Sequence, residues 1–142
     1  MRVKDVMSKQ VVSVGPEESL EVAARLLSRY NVGVLPVCTA DRQLQGMLTD
    51  RDIVLRCVAA GQQPDRMSVR QAMTGRVIST RPEDHAEVAS ALMAREQVRR
   101  LPVTENGRLV GILSLGDLAV RPDYSMEAAE TLSEISSNIQ SR

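Results

Sequence analysis

The stretch QGMLTDRDIV, Gln45 to Val54, sets a threonine, an arginine and two aspartates side by side at Thr49 to Asp52, between two apolar runs. Residues of these types at this spacing admit four chemistries. Asp50 with Asp52 could act as a catalytic carboxylate pair or hold a divalent cation. Thr49 with Asp52, three positions on, has the spacing of a near capping box, in which the hydroxyl caps a helix and the acid reaches back. The same pair at a strand-to-helix junction could also cradle a ligand.

The elements that must position these residues come from an internal repeat, the strongest signal in the chain. A shift of 66 lays Val3, Met7, Val11, Ser13, Pro16 and Glu17 on Val69, Met73, Val77, Ser79, Pro82 and Glu83. It also superposes EVA at 21–23 on EVA at 87–89 and LPV at 35–37 on LPV at 101–103. From Val3 to Val37, 15 of 35 aligned positions are identical. Beyond LPV the shift becomes 65, and GMLTDRD meets GILSLGD. Thr49 then pairs with Ser114 and Asp52 with Asp117, whereas Asp50 and Arg51 face Leu115 and Gly116. What repeats is G-x-L-[T/S]-x-x-D, so a dyad of Asp50 with Asp52 would exist in one copy alone.

Each copy reads in one order. A β-rich run, VVSV or VIST, precedes Pro16 or Pro82, each suited to the first turn of a helix. Leu20, Ala23, Ala24 and Leu27 form one helical stripe; Val88, Leu92 and neighbouring alanines form the other. A buried strand, VGVLPVC or VRRLPVT, leads through TADRQ or the hairpin signal ENG into a second strand, LQGML or LVGIL. The T/S-x-x-D then opens a second helix, ending near Gly61 or before Pro122. The predicted fold class is α+β: two β-α-β-β-α repeats with pseudo-two-fold symmetry, packed sheet to sheet because about 60 residues bury little alone. The repeats span 1–62 and 63–122, with AGQQPDRMS as the joint, and 123–142 form a tail.

Composition narrows the function classes. With 18 basic and 18 acidic residues the formal net charge is zero, so no long-range field draws the chain to nucleic acid or an anionic membrane. Two Tyr, no Phe and no Trp leave a single-strand nucleic-acid surface without its stacking aromatics. Any planar ligand must lie between aliphatic side chains. Cys38 and Cys57 stand isolated and, with His85, show no metal-ligand spacing; they read as buried thiols of a reduced cytosol. No signal peptide or membrane-length apolar stretch is present, and the expected location is the cytoplasm.

The duplicated order of VKDVM, the LPV strands, GMLTDRD and GILSLGD resembles a tandem pair of CBS domains, the Bateman module, over roughly residues 1–122. The TDRD form with a short C-terminal extension is similar to small stand-alone bacterial members. The resemblance implies two clefts that commonly bind adenine nucleotides or other adenosyl ligands (AMP, ADP, ATP, S-adenosylmethionine), no required cofactor, and a disc-like homodimer that signals to an effector protein.

The residues fit such a ligand. A helix start offers free N–H groups to a phosphate, and the Thr49 or Ser114 hydroxyl adds a donor. Asp52 and Asp117, ionised and accepting only, suit the two hydroxyls of a ribose. Arg99 and Arg100 stand directly before LPV where the first copy has Gly33 and Val34; the resemblance places such a residue, Arg100 above all, on phosphate, and Arg51 is a further phosphate ligand. Adenine would lie against Val11, Val32 and Val34 at the Asp117 site and against Val77 and Val98 at the Asp52 site. The two sites are unequal, since Leu115 and Gly116 replace Asp50 and Arg51.

Catalysis finds no supporting constellation: no P-loop, GxSxG or HExxH occurs, and His85 aligns with Ser19 at a helix start. No metal ligands are assigned. The tail is helical in pattern, with Met126, Ala129, Leu132, Ile135 and Ile139 on one stripe and Glu127, Glu130 and Glu134 opposite. The reading is a non-enzymatic regulatory module sensing an adenosyl ligand. The alternatives are a scaffold whose T/S-x-x-D motifs only cap helices, and a metal- or redox-responsive module using Asp50, Asp52 and the cysteines.

Overall fold

A computed structural model describes residues 1–119 and 129–135, so Met126 and Ile139 of the predicted stripe lie outside the described residues. In chain order the elements are α1 (Val3–Val6), α2 (Leu20–Tyr30), β1 (Val34–Cys38), β2 (Leu44–Thr49), α3 (Asp50–Ile53) continued by a π-helical segment (Val54–Val58), α4 (Val69–Ala72), α5 (Ala86–Glu96), β3 (Arg100–Glu105), β4 (Arg108–Ser114) and α6 (Leu115–Ala119). Residues 129–135 are also helical. The class is α+β. No helix among the described residues is long and apolar enough to cross a membrane.

Two compact units result, cut near 11/12 and 77/78. The Asp52 unit holds Val12–Val77 with Gly107–Leu109; the Asp117 unit joins Met1–Val11 to Ile78–Asn106 and the described residues from Val110 onward. Each sequence copy therefore gives its opening residues to the unit built on the other copy.

In the Asp52 unit, Ser19 caps α2 by accepting from Val22 N at 3.2 Å, and Asn31 ends it in the left-handed conformation, φ 52°. Leu20, Ala23 and Leu27 face the core as their spacing predicts. In the Asp117 unit α5 buries Ala86, Ala89 and Met93, and Val88 is 56% exposed. Leu92, Ala86 and Ala89 pack against the core as predicted, whereas Val88 departs from the predicted stripe. The helix begins at Ala86, which turns the 86/89/93 face inward and leaves Val88 about 100° away.

The strands pair as two antiparallel hairpins, β1 with β2 and β3 with β4. Val34 is opposite Thr49 and Leu35 opposite Leu48, with a bulge between Val37 and Cys38. Asn106 and Gly107 have φ of 54° and 79°, as a primed turn after the Glu105 strand end requires. The predicted opening strands VVSV and VIST are not continuous strands. Each shrinks to one parallel bridge, Val14 to Val37 and Thr80 to Val103. Pro16 and Pro82 also lie outside the helices, which start at Leu20 and Ala86. Their carbonyls instead accept from the amides of Arg70 (2.9 Å) and Lys4 (3.0 Å), at the starts of α4 and α1, satisfying orphan donors there.

The same docking explains the glycine of G-x-L-[T/S]. Thr74 and Met47 exchange backbone hydrogen bonds, as do Ser8 and Ile112. A Cβ on Gly46 would stand 2.6 Å from the Thr74 carbonyl oxygen, and one on Gly111 would stand 2.7 Å from Met7 Sδ and 2.9 Å from the Ser8 carbonyl oxygen. Only glycine lets those segments lie against the strand.

The helix at 129–135 corrects the predicted stripe. Its buried face is Thr131 and Ile135, whereas Leu132 is 40% exposed. Ser90 on α5 and Thr131 share a buried hydroxyl contact of 3.2 Å on that face.

Candidate ligand-binding site

Both copies of T/S-x-x-D form complete reciprocal boxes. Thr49 Oγ1 accepts from Asp52 N at 3.0 Å, and Thr49 N donates to Asp52 Oδ2 at 3.0 Å. Ser114 Oγ accepts from Asp117 N at 3.0 Å, and Ser114 N donates to Asp117 Oδ2 at 3.1 Å. These contacts use the oxygen lone pairs of the hydroxyls and one oxygen of each carboxylate. Each hydroxyl keeps its own hydrogen to donate to an anion. Oδ1 of each aspartate takes no part in these bonds, and Asp52 Oδ1 lies 3.9 Å from Arg56 Nε. Capping and ligand binding are therefore chemically compatible at the same residues.

The neighbourhoods of the two boxes differ in charge. Antiparallel pairing sets the residues just before each LPV strand beside the box of their own copy: Asp50 N donates to Gly33 O at 3.0 Å, and Leu115 N to Arg99 O at 2.8 Å. In the Asp52 unit the Asp50 carboxylate folds over Gly33, whose added Cβ would lie 3.5 Å from Asp50 Oδ2. An acid occupies that corner, and the nearby Arg51 is exposed and lends its amide to Asp50 Oδ1 at 2.8 Å. In the Asp117 unit the same corner carries Arg99 and Arg100, both exposed, with Leu115 and Gly116 at the positions of Asp50 and Arg51. Arg99, Arg100, Ser114, Leu115, Gly116, Ala119, Ala129 and Leu132 together line a pocket of about 480 Å³.

The aliphatic positions divide between the two units. Val34, opposite Thr49, sits with Val32 in the Asp52 unit, and Val98 precedes the arginines of the Asp117 unit. Within each unit, a strand pairs with the box of its own copy. Val11 belongs to the Asp117 unit and Val77 to the Asp52 unit; all five valines are partly buried. Sequence reasoning missed Ala129 and Leu132 as pocket residues. The apolar stripe of the tail was the one signal that pointed to them.

Among the described residues no group of three or more His, Cys, Asp or Glu could hold a metal ion. His85 joins Arg2 Nη1 at 3.2 Å. Cys38 and Cys57 are buried free thiols, and burial pushes the Cys38 thiol above its ordinary pKa. A thiol that stays protonated is a poor nucleophile. Both cysteines are shielded from reagent by burial and should label with a water-soluble disulfide reagent at neutral pH at least about tenfold more slowly in the native protein than after denaturation; labelling at equal rates would show the thiols to be open.

Comparison with known proteins agrees with this geometry. The family profile for the CBS domain matches residues 3–58 and 69–124. The chain is 43% identical over 134 residues to the CBS domain-containing protein YhcV of Bacillus subtilis, covering 94% of each. It is similar to the crystal structure of Hypoxic Response Protein I with two coordinated zinc ions, at a TM-score of 0.78 and 35% identity, over 84% of this chain and 97% of that one. It is also similar to the CBS domain pair of protein MJ0100 in complex with 5′-methylthioadenosine and S-adenosyl-L-methionine, at a TM-score of 0.73 and 25% identity, over 84% and 93%. With two matched copies that account for most of its length, the chain belongs to the CBS-domain family.

Proposed function

We propose that the chain is a non-catalytic regulatory module that binds an adenosyl ligand bearing an anionic group, with the Ser114–Asp117 box as its principal site. The observation that carries this reading is the pair Arg99 and Arg100 lining one pocket with Ser114. The Asp117 carboxylate accepts from the ribose hydroxyls, the Ser114 hydroxyl and the arginines donate to phosphate or carboxylate, and the apolar wall takes the base. The Thr49–Asp52 box, with Asp50 at its corner, suits a ligand of lower negative charge. The MJ0100 pair, which binds two adenosyl compounds, supports the ligand class. Val54, Leu55 and Val58, each at least 50% exposed on one helical segment, support association with a second copy, through which occupancy would reach an effector. For a signal to pass, the ligand must prefer one of two states of that assembly.

A second reading is favoured by the boxes themselves: both are already satisfied as helix caps, as a scaffold with empty sites requires. A thermal-shift panel of AMP, ADP, ATP and S-adenosylmethionine separates the two. A ligand at about 100 times its dissociation constant should add roughly 2.7 kcal/mol, a rise on the order of 6–10 °C, lost in Asp117→Ala. Asp117→Ala alone should cost about 1 kcal/mol as a lost cap. No rise with any of the four would leave the scaffold reading standing.

A further inference from the structure

The pocket at Ser114 has a wall that the T/S-x-x-D motif does not supply. Residues 129–135 are helical, and Ala129 and Leu132 line the same pocket as Arg99 and Arg100. The helix is held by its other face: Ile135 is 2% exposed, Thr131 is 5% exposed, and Thr131 meets Ser90 at 3.2 Å. Positions 129 and 132 are one turn apart on the pocket side, and 131 and 135 are one turn apart on the anchored side. Leu132 stays 40% exposed because the space before it is open.

The lining is therefore chemically mixed, with two arginines and a serine together with an alanine and a leucine. A molecule complementary to both is amphipathic, with an anionic group for the arginines and an apolar or planar face for Leu132. Its contacts with the helix exist only while the helix is docked. Ligand binding and helix docking then stabilise each other to the same extent, as linkage requires.

We propose that Ala129 and Leu132 are ligand-contacting residues of the Ser114–Asp117 site, and that occupancy of this site is coupled to docking of the helix at 129–135. This rests on the ligand reading above and goes beyond it, because it makes the tail a part of the site and the element whose stability reports occupancy.

The full chain should be titrated calorimetrically with AMP, ATP and S-adenosylmethionine in turn, with amide hydrogen exchange of 129–135 followed at saturation. The ligand that binds should slow exchange in that segment about tenfold, a coupling of ordinary size. Ile135→Ala, which touches the anchored face and not the pocket, should weaken the same ligand by about tenfold, and Thr131→Val should weaken it in the same direction. Leu132→Ala should weaken it while leaving the helix anchored. Binding heat with unchanged exchange in 129–135 and unchanged affinity in Ile135→Ala would overturn the coupling and leave the ligand reading intact. No binding heat with any of the three ligands would overturn both.

Discussion

Gly46→Ala should lower stability by about 3 kcal/mol, the upper range for overpacking, and the melting temperature by roughly 10 °C. The added methyl would stand 2.6 Å from the carbonyl oxygen of Thr74 and 3.0 Å from Met73 Sδ. The methionine can move aside, but the carbonyl cannot, because Thr74 O accepts from Met47 N at 3.0 Å and Thr74 N donates to Met47 O at 2.9 Å. Relief would require breaking that bridge and lifting α4, whose Val69 and Ala72 are fully buried in the core. Gly75→Ala is the control, since a Cβ there meets nothing within 4 Å and should change stability by no more than about 0.5 kcal/mol. Denaturant melts of the two variants side by side give the answer. Equal stability would mean that the opening segment of the second copy is not held against β2.

The second large effect is electrostatic. The double substitution Arg99→Gly, Arg100→Val gives the second copy the residues of the first, and should weaken a phosphate-bearing ligand at the Ser114–Asp117 box by about 100-fold or more, at about 1.5–3 kcal/mol for each hydrogen bond to a charged group. Adenosine, which has no phosphate, should bind the variant and the parent alike. Both arginines are exposed, so the fold should tolerate the change within about 0.5 kcal/mol. Calorimetric titration of AMP and adenosine against both proteins tests this. An equal loss for the two ligands would assign the arginines a role in shaping the pocket in place of charge recognition. The reciprocal change, Gly33→Arg, would meet the Asp50 carboxylate, 3.5 Å from the position of a Cβ there; the new cation would pair with that acid before it reached a ligand.

The repeat, the two hairpins, the boxes and the asymmetry between them were all legible in the sequence, because each rests on local spacing. A serine or threonine three residues before an aspartate caps whatever helix follows, and an Asn-Gly pair turns a strand whatever packs on it. The CBS-domain family was legible for the same reason, since its motifs recur in one order in each copy.

Tertiary structure decided what depends on partners far along the chain. VVSV and VIST have strand composition, yet each makes a single bridge, because the residues beside them turn to receive the head helix of the other copy. Val88 was expected on the buried stripe of its helix, but it is 56% exposed, since the small neighbouring alanines Ala86 and Ala89 face inward. The glycine of G-x-L-[T/S] marks a close approach that only the docked segments at Met7–Ser8 and Met73–Thr74 explain. In the tail, the sequence determined that 129–135 would be an amphipathic helix. The face it buries, Thr131 and Ile135, is set by packing against residues far back in the chain, Ser90 on α5 among them, and Ala129 and Leu132 are left to line the pocket with the arginines.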